Sequence, residues 1–155
     1  MKKQLVVMLF FLFVAGITFS QTNPKPPVKK ALAALEKLLT GSGLPYKMVN
    51  DSLAVIPYEG ANISSYQVLV QVISDLFIIY TNLTETLPGK IDETKYKYLL
   101  QQNDHFDVVK IGVSAEDNTV YLRADLYKSA TNAALLKRVI AQVANVTNII
   151  GGDLK

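Results

Sequence analysis

The chain has 155 residues, of which 50% are hydrophobic and 19% charged, with no cysteine, no tryptophan and a single histidine. This composition excludes a disulfide framework, a cysteine nucleophile, a cysteine-ligated zinc site and an iron–sulfur cluster. The length fits one domain, and the apolar content argues against a chain that is disordered throughout.

Residues 1–20 have the layout of a secretory signal peptide. Lys2 and Lys3 form a basic start, an apolar run extends from Leu5 to Ala15, and Thr18 and Ser20 supply the small residues of a cleavage site. The run is shorter than the roughly 20 apolar residues that a membrane-spanning helix needs. The pattern therefore predicts cleavage after Ser20, export to a bacterial periplasm or out of the cell, and no stable membrane anchor afterwards. Cleavage would leave 14 basic and 13 acidic residues, a net charge of +1, which disfavours nucleic acid as a partner.

Three further segments are expected after the signal peptide. Residues 21–27 contain three prolines and predict a short extended linker. Residues 28–150 carry the patterns of regular secondary structure and are interpreted as one domain. Residues 151–155 are interpreted as a C-terminal tail.

The predicted domain contains three helices. Each has apolar residues at three- and four-residue spacing, and capping residues or glycines mark where most of them begin or end. The predicted ranges are Val28–Leu39, ended by Gly41–Gly43; Glu93–Asn103, capped by Asp92; and Asn132–Ile149, capped by Ser129 or Thr131 and ended by Gly151–Gly152.

Six segments have the two-residue period of strands. They are Tyr46–Asn50, Leu53–Tyr58, Tyr66–Ile73, Leu76–Leu83, Asp107–Ser114 and Thr119–Tyr127. Short turns between neighbours favour antiparallel pairing, and three helices are too few to cover both faces of a sheet. The order α-β-β-β-β-α-β-β-α therefore predicts an α+β fold, an antiparallel sheet with helices on one face.

One strand and the tyrosines together predict a surface for another protein. Segment Leu76–Leu83 is apolar on both sides, so it is either central in the sheet or covered on one side by a partner. All eight tyrosines lie after residue 20, and tyrosine is favoured at interfaces. The candidate interface residues are Leu69, Phe77, Ile79, Tyr121 and Arg123, with a simple surface ion pair between Arg123 and Asp125 as the alternative for that pair of charges.

Three stretches, together within residues 31–150, carry a resemblance to known proteins. They are Ala31–Leu39 leading into Gly43–Met48, the hairpin Tyr66–Leu83, and Asp107–Val143, where a Val-Tyr-Leu-Arg-Ala-Asp-Leu strand feeds into a long amphipathic helix. This order resembles the YbjN-like family and, more broadly, type III secretion chaperones such as the Tir chaperone. The resemblance implies an α+β sandwich, frequent dimerisation and protein binding rather than catalysis. It also implies a cytoplasmic chaperone, whereas this sequence predicts export.

His105, between Asp104 and Asp107, is the one candidate for a catalytic base or a metal ligand. A loop histidine among turn acids is the favoured interpretation, because no nucleophile or second ligand cluster accompanies it. We therefore expect no catalytic site, no metal and no cofactor.

The expected function is a non-catalytic, exported module that binds a protein partner or a second copy of itself through a sheet face. The alternative is a carrier of a small molecule or lipid. Its pocket would lie between the sheet and the last helix, at the positions of Val139 and Val143.

Overall fold

A computed structural model describes residues 28–86 and 91–154. The predicted signal peptide and linker lie outside this part of the chain. The helices are α1 (Val28–Ser42), α2 (Leu83–Thr86), α3 (Glu93–Gln102) and α4 (Ala133–Asp153); the strands are β1 (Lys47–Asn50), β2 (Leu53–Tyr58), β3 (Tyr66–Ile73), β4 (Leu76–Asn82), β5 (Lys110–Val113) and β6 (Val120–Tyr127). The predicted order is confirmed, with the single turn of α2 and a 3₁₀ turn at Lys128–Ala130 added within the described residues.

All six strands form one antiparallel sheet in the order β1-β2-β3-β4-β6-β5. Strand β4 lies between β3 and β6, so the segment that is apolar on both sides is a central strand, as predicted. Strand β5 is shorter than expected and lies at one edge, with β1 at the other.

Helices α1 and α4 pack together on one face of the sheet, where α4 contacts β3, β4 and β6. The strand side chains beneath them alternate with those of the opposite face, as the two-residue period requires. The buried residues of this helix-covered face include Ala54, Ile56, Val68, Val70, Phe77, Ile79, Leu122 and Ala124, and those of α4 include Leu136, Val139, Ile140, Val143 and Ile150. Antiparallel strands with helices on one face confirm the predicted fold class.

The cap of α4 differs from the prediction. Asn132 is the N-cap, and its side-chain oxygen accepts a hydrogen bond of 2.9 Å from the backbone N–H of Leu135. Ser129 lies in a 3₁₀ turn, and the Thr131 hydroxyl donates instead to the carbonyl of Tyr127. An asparagine three residues before a helical N–H satisfies a donor that has no partner inside the helix.

Helix α4 also ends later than predicted, at Asp153 rather than Ile149. Gly151 and Gly152 therefore lie inside the helix and do not end it. A Cβ on Gly152 would lie 2.6 Å from the Asn62 side-chain nitrogen, so glycine at this position lets the helix approach the loop between β2 and β3. The predicted tail is thus helical as far as Asp153.

Asn148 fastens the β2–β3 loop to α4. Its side-chain oxygen accepts hydrogen bonds from the backbone N–H groups of Asn62 (2.9 Å) and Ile63 (3.3 Å). The Asn62 side chain in turn donates to the backbone carbonyl of Asn148 at 3.0 Å. The side chains of Asn148 and Asn62 therefore make three hydrogen bonds that dock this loop on the helix.

A hydrogen bond between Tyr98 and Asp153, 2.5 Å long, connects α3 to the end of α4. Desolvation, this hydrogen bond and the negative charge of Asp153 together raise the pKa of Tyr98 to about 12. Because the folded-state pKa lies above the ordinary value of 10.0, the contact contributes fully below that value. Its contribution falls as the pH rises from there toward 12.

We expect Tyr98→Phe to remove one late-ionising tyrosine from the alkaline titration of the folded protein. The measurement is tyrosinate absorbance against pH for wild type and variant, compared as a difference. Tyr127→Phe, at an exposed tyrosine, is the matched control. Equal difference curves for the two variants would contradict the raised pKa of Tyr98.

Candidate functional site: the open face of the sheet

The face of the sheet opposite α1 and α4 is the candidate site, and we call it the open face. It is formed by the strand residues that alternate with the core positions. Its members include Leu53, Val55, Leu69, Gln71, Leu76, Ile78, Tyr80, Tyr121, Arg123 and Asp125. Within the described residues, these side chains are mostly half-buried, and the majority are apolar.

Cross-strand pairing arranges the open face in rows. In one row, Leu69 pairs with Val55 and with Tyr80, and Tyr80 pairs with Arg123 on β6. In the next row, Ile78 lies between Gln71 and Asp125. Directly opposite side chains contact one another in such pairs, so apolar side chains of β2, β3 and β4 meet at the centre of the face, with Gln71, Arg123 and Asp125 beside them.

Ile78 is the centre of this face and is only 7% exposed, although α1 and α4 lie on the other side of the sheet. Its neighbours on this face are Gln71 and Asp125 across the strands and Leu76 and Tyr80 along β4. A partner that packed here would contact these side chains and Leu69.

Arg123 and Asp125 form a bidentate ion pair on the open face. The Arg123 Nε–H donates to Asp125 Oδ1 at 2.7 Å, and Nη2–H donates to Oδ2 at 2.9 Å. The hydrogen bond to Asp125 raises the pKa of the Arg123 guanidinium. Both side chains are about two-fifths exposed, at 39% and 41%, so the pair adds at most about 1 kcal/mol to stability.

Gly112 and Tyr121 shape the end of the open face next to the β5 edge. A Cβ on Gly112 would lie 2.6 Å from the Tyr121 ring and hydroxyl, so the ring lies across the glycine. Beside it is an open cavity of about 440 Å³, lined by Val108, Lys110, Ile111, Gly112, Tyr121, Arg123, Ala124 and Asp125. The ring and the ion pair therefore border a shallow groove.

The five predicted interface residues lie in two different environments. Leu69, Tyr121 and Arg123 are on the open face. Phe77 and Ile79 are 1% and 0% exposed on the helix-covered face, where they pair across strands with Leu126 and Ala124. These two belong to the core of the domain, so the grouping of all five on one surface is corrected. Ile78, which lies between them in the sequence, points to the open face together with Leu76 and Tyr80.

His105 lies in the exposed turn after α3, where its backbone N–H donates to the carbonyl of Gln102 at 3.0 Å. Among the residues that the structure describes, no group of three histidine, aspartate and glutamate side chains is arranged to hold a metal ion. The positions proposed for a carrier pocket, Val139 and Val143, are 1% and 0% exposed.

No helix in residues 28–86 and 91–154 combines the length and the apolar run that a membrane-spanning helix requires. Helix α4, at 21 residues, is long enough but presents one apolar stripe to the sheet and polar residues to solvent.

Neither a protein-family model nor a curated protein matches the sequence. Solved structures do match the fold. A chain of the HopA1–SchA chaperone–effector complex has a TM-score of 0.60 at 9% identity, covering 81% of this chain and 98% of that one. A chain of the ExoU–SpcU complex, from the type III secretion system of Pseudomonas aeruginosa, has a TM-score of 0.53 at 16% identity, covering 76% and 94%. YbjN from E. coli has a TM-score of 0.55 at 10% identity, covering 79% and 89%.

This chain therefore has the fold of type III secretion chaperones and of YbjN, as its sequence predicts. At these identities the likeness extends to the fold, and the function has to be argued from the site.

Proposed function

We propose that this chain is a non-catalytic, exported protein-binding module with a chaperone-like role, and that it binds through the open face of its sheet. The observation that carries the proposal is a half-buried apolar surface centred on Ile78, on the side of the sheet away from α1 and α4. Contiguous apolar surface on a folded domain is typical of protein interaction sites.

The chemistry of the face favours a protein chain as its occupant. Leu69 and Leu76 supply apolar area, while Tyr80 and Tyr121 combine a flat ring with a polar hydroxyl, which suits contacts at the border between buried and wet surface. Arg123 retains donors that Asp125 does not use. The occupant is a partner protein or a second copy of this chain.

Solved structures with this fold support the proposal, because some of them come from complexes between two proteins. Two of them are chains from complexes named for a chaperone and its effector or for a type III secretion pair. The predicted signal peptide would export this chain from the cytoplasm, so we expect its partners among exported proteins. Recovery from a periplasmic or secreted fraction with Gln21 as the first residue is the expected result for export.

The sharpest test is a charge at Leu69. We expect Leu69→Lys to keep the fold, because the side chain is only half-buried, and to weaken binding about tenfold or more, because a lysine would have to be desolvated at the centre of the contact. The two measurements are the mass in solution by light scattering and the suppression of aggregation of a heat-denatured client such as citrate synthase.

Gln67→Lys is the matched control, since Gln67 is exposed on the same strand and the same side. It should change neither measurement appreciably. If wild type is monomeric, and Leu69→Lys suppresses aggregation as well as wild type does, the open face is not the binding surface.

The carrier hypothesis stays a separate prediction. A small molecule that co-purifies with the protein in native mass spectrometry would support it. The tight packing of Val139 and Val143 favours the protein-binding proposal over it.

A further inference from the structure

Strand β5 is the last strand in the sheet, so one of its sides has no neighbouring strand among residues 28–86 and 91–154. Backbone groups of an antiparallel strand alternate between the two sides. The Ser114 N–H donates toward β6, to the carbonyl of Thr119 at 2.9 Å. By alternation, Gly112 and Lys110 also pair with β6, whereas Ile111 and Val113 direct their N–H and C=O groups to the free edge.

The side chain of Asn103 occupies the edge at Ile111. Its oxygen accepts from the Ile111 N–H at 2.7 Å, and its nitrogen donates to the Ile111 carbonyl at 3.1 Å. A carboxamide has the same donor and acceptor as a peptide group. Asn103 therefore makes the pair of hydrogen bonds that one residue of an added strand would make.

Lys110 holds the segment that carries Asn103 in place. Its ammonium donates to the backbone carbonyls of Asn103 (3.0 Å) and Phe106 (2.7 Å), just after the end of α3. A cation is favourable at a helix C-terminus. The end of α3 is thus fastened to β5 by a backbone-mimicking contact and by a charge-assisted one.

We infer that Asn103 is a lock on a latent strand-pairing edge, and that the strand it excludes is β5 of a second copy of this chain. Exposed strand edges are templates for pairing with other chains, and proteins close them by covering or charging them. Val113, the next outward-facing residue, is 42% exposed, so the edge remains accessible beyond the lock. In an antiparallel β5–β5 pair centred on Ile111, each Lys110 would lie opposite a glycine of the other copy, which leaves no two lysines opposed.

The test compares Asn103→Ala with wild type by sedimentation velocity over a range of protein concentrations. We expect the variant to form a larger species as concentration rises, and the Ile111 amide to exchange faster with solvent at low concentration. Adding Val113→Pro should return the mass to that of wild type, because proline removes an outward N–H and is tolerated on strand edges. Association through the open face would not respond to Val113→Pro.

Asn145→Ala, at an exposed asparagine on α4, is the control and should behave as wild type. Asn103→Asp is the second variant if the alanine variant does not fold, since it keeps the acceptor for Ile111 N–H and replaces the donor by a carboxylate oxygen that the Ile111 carbonyl repels. The inference is overturned if a folded Asn103 variant has the mass of wild type at every concentration. It is equally overturned if Val113→Pro does not reverse the increase in mass.

Discussion

We expect Phe77→Ala to lower the free energy of unfolding by about 3–5 kcal/mol. Phe77 is among the largest fully buried side chains and is 1% exposed, paired across strands with Val72 and Leu126. Alanine would remove most of its apolar contacts and leave a cavity between the central strand and the helix layer. Urea denaturation should show a lower midpoint with an unchanged slope, because the fold and the surface exposed on unfolding remain the same.

Leu69→Ala is the matched substitution on the open face, where a half-buried leucine should cost only about 1 kcal/mol. The contrast tests which face is the core. Equal losses for the two variants would mean that Leu69 and Phe77 are buried alike, and would remove the basis for treating one face as open.

The β3–β4 hairpin shows which structural features the sequence predicts. The two-residue period predicts the alternation within each strand correctly, and the predicted strand bounds leave a two-residue turn at Ser74-Asp75, as observed. A two-residue turn fixes the register, and the observed register pairs Leu69 with Tyr80 and Val70 with Ile79. Extending the predicted turn along both strands would therefore have separated Leu69 from Phe77 and Ile79.

The sequence of β4 alone does not indicate which side of the strand the helices cover. Both sides of that strand are apolar, with Phe77 and Ile79 on one side and Leu76 and Ile78 on the other. Which side receives α4 is decided by contacts far apart in sequence. Local periodicity carries no information about that choice, so it does not show which of the two apolar sides of β4 belongs to the candidate surface.

Polar contacts between segments that are distant in the sequence are the second feature that the sequence does not predict. The glycine pair near the end of α4 has the usual appearance of a helix end, yet Gly152 is there because Asn62 approaches the helix closely. Asn103 stands at the end of α3, where asparagine is a common terminator. Nothing in the sequence indicates that its carboxamide pairs with Ile111. Long-range hydrogen bonds of this kind have no period and no local motif.

The contact between α4 and the β2–β3 loop leads to the second large expected effect. We expect Asn148→Ala to lower the free energy of unfolding by about 2–3 kcal/mol, because two backbone N–H groups lose their common acceptor and cannot all regain it from water. Ile63 is 7% exposed, so its N–H lies in a part of the loop that solvent reaches poorly. Chemical denaturation gives the loss, and hydrogen exchange should show faster exchange at the amides of Asn62 and Ile63.

Asn145→Ala, one helical turn earlier on the exposed side of α4, separates this contact from the effect of placing alanine in a helix. It should change stability by no more than about 0.5 kcal/mol, since it removes no packed contact and alanine favours helix. If Asn148→Ala and Asn145→Ala behaved alike, burial of Ile63 and the close approach at Gly152 would suffice to hold the loop. A loss confined to Asn148→Ala, with faster exchange at those two amides, would instead identify its side chain as the element that holds the β2–β3 loop on α4.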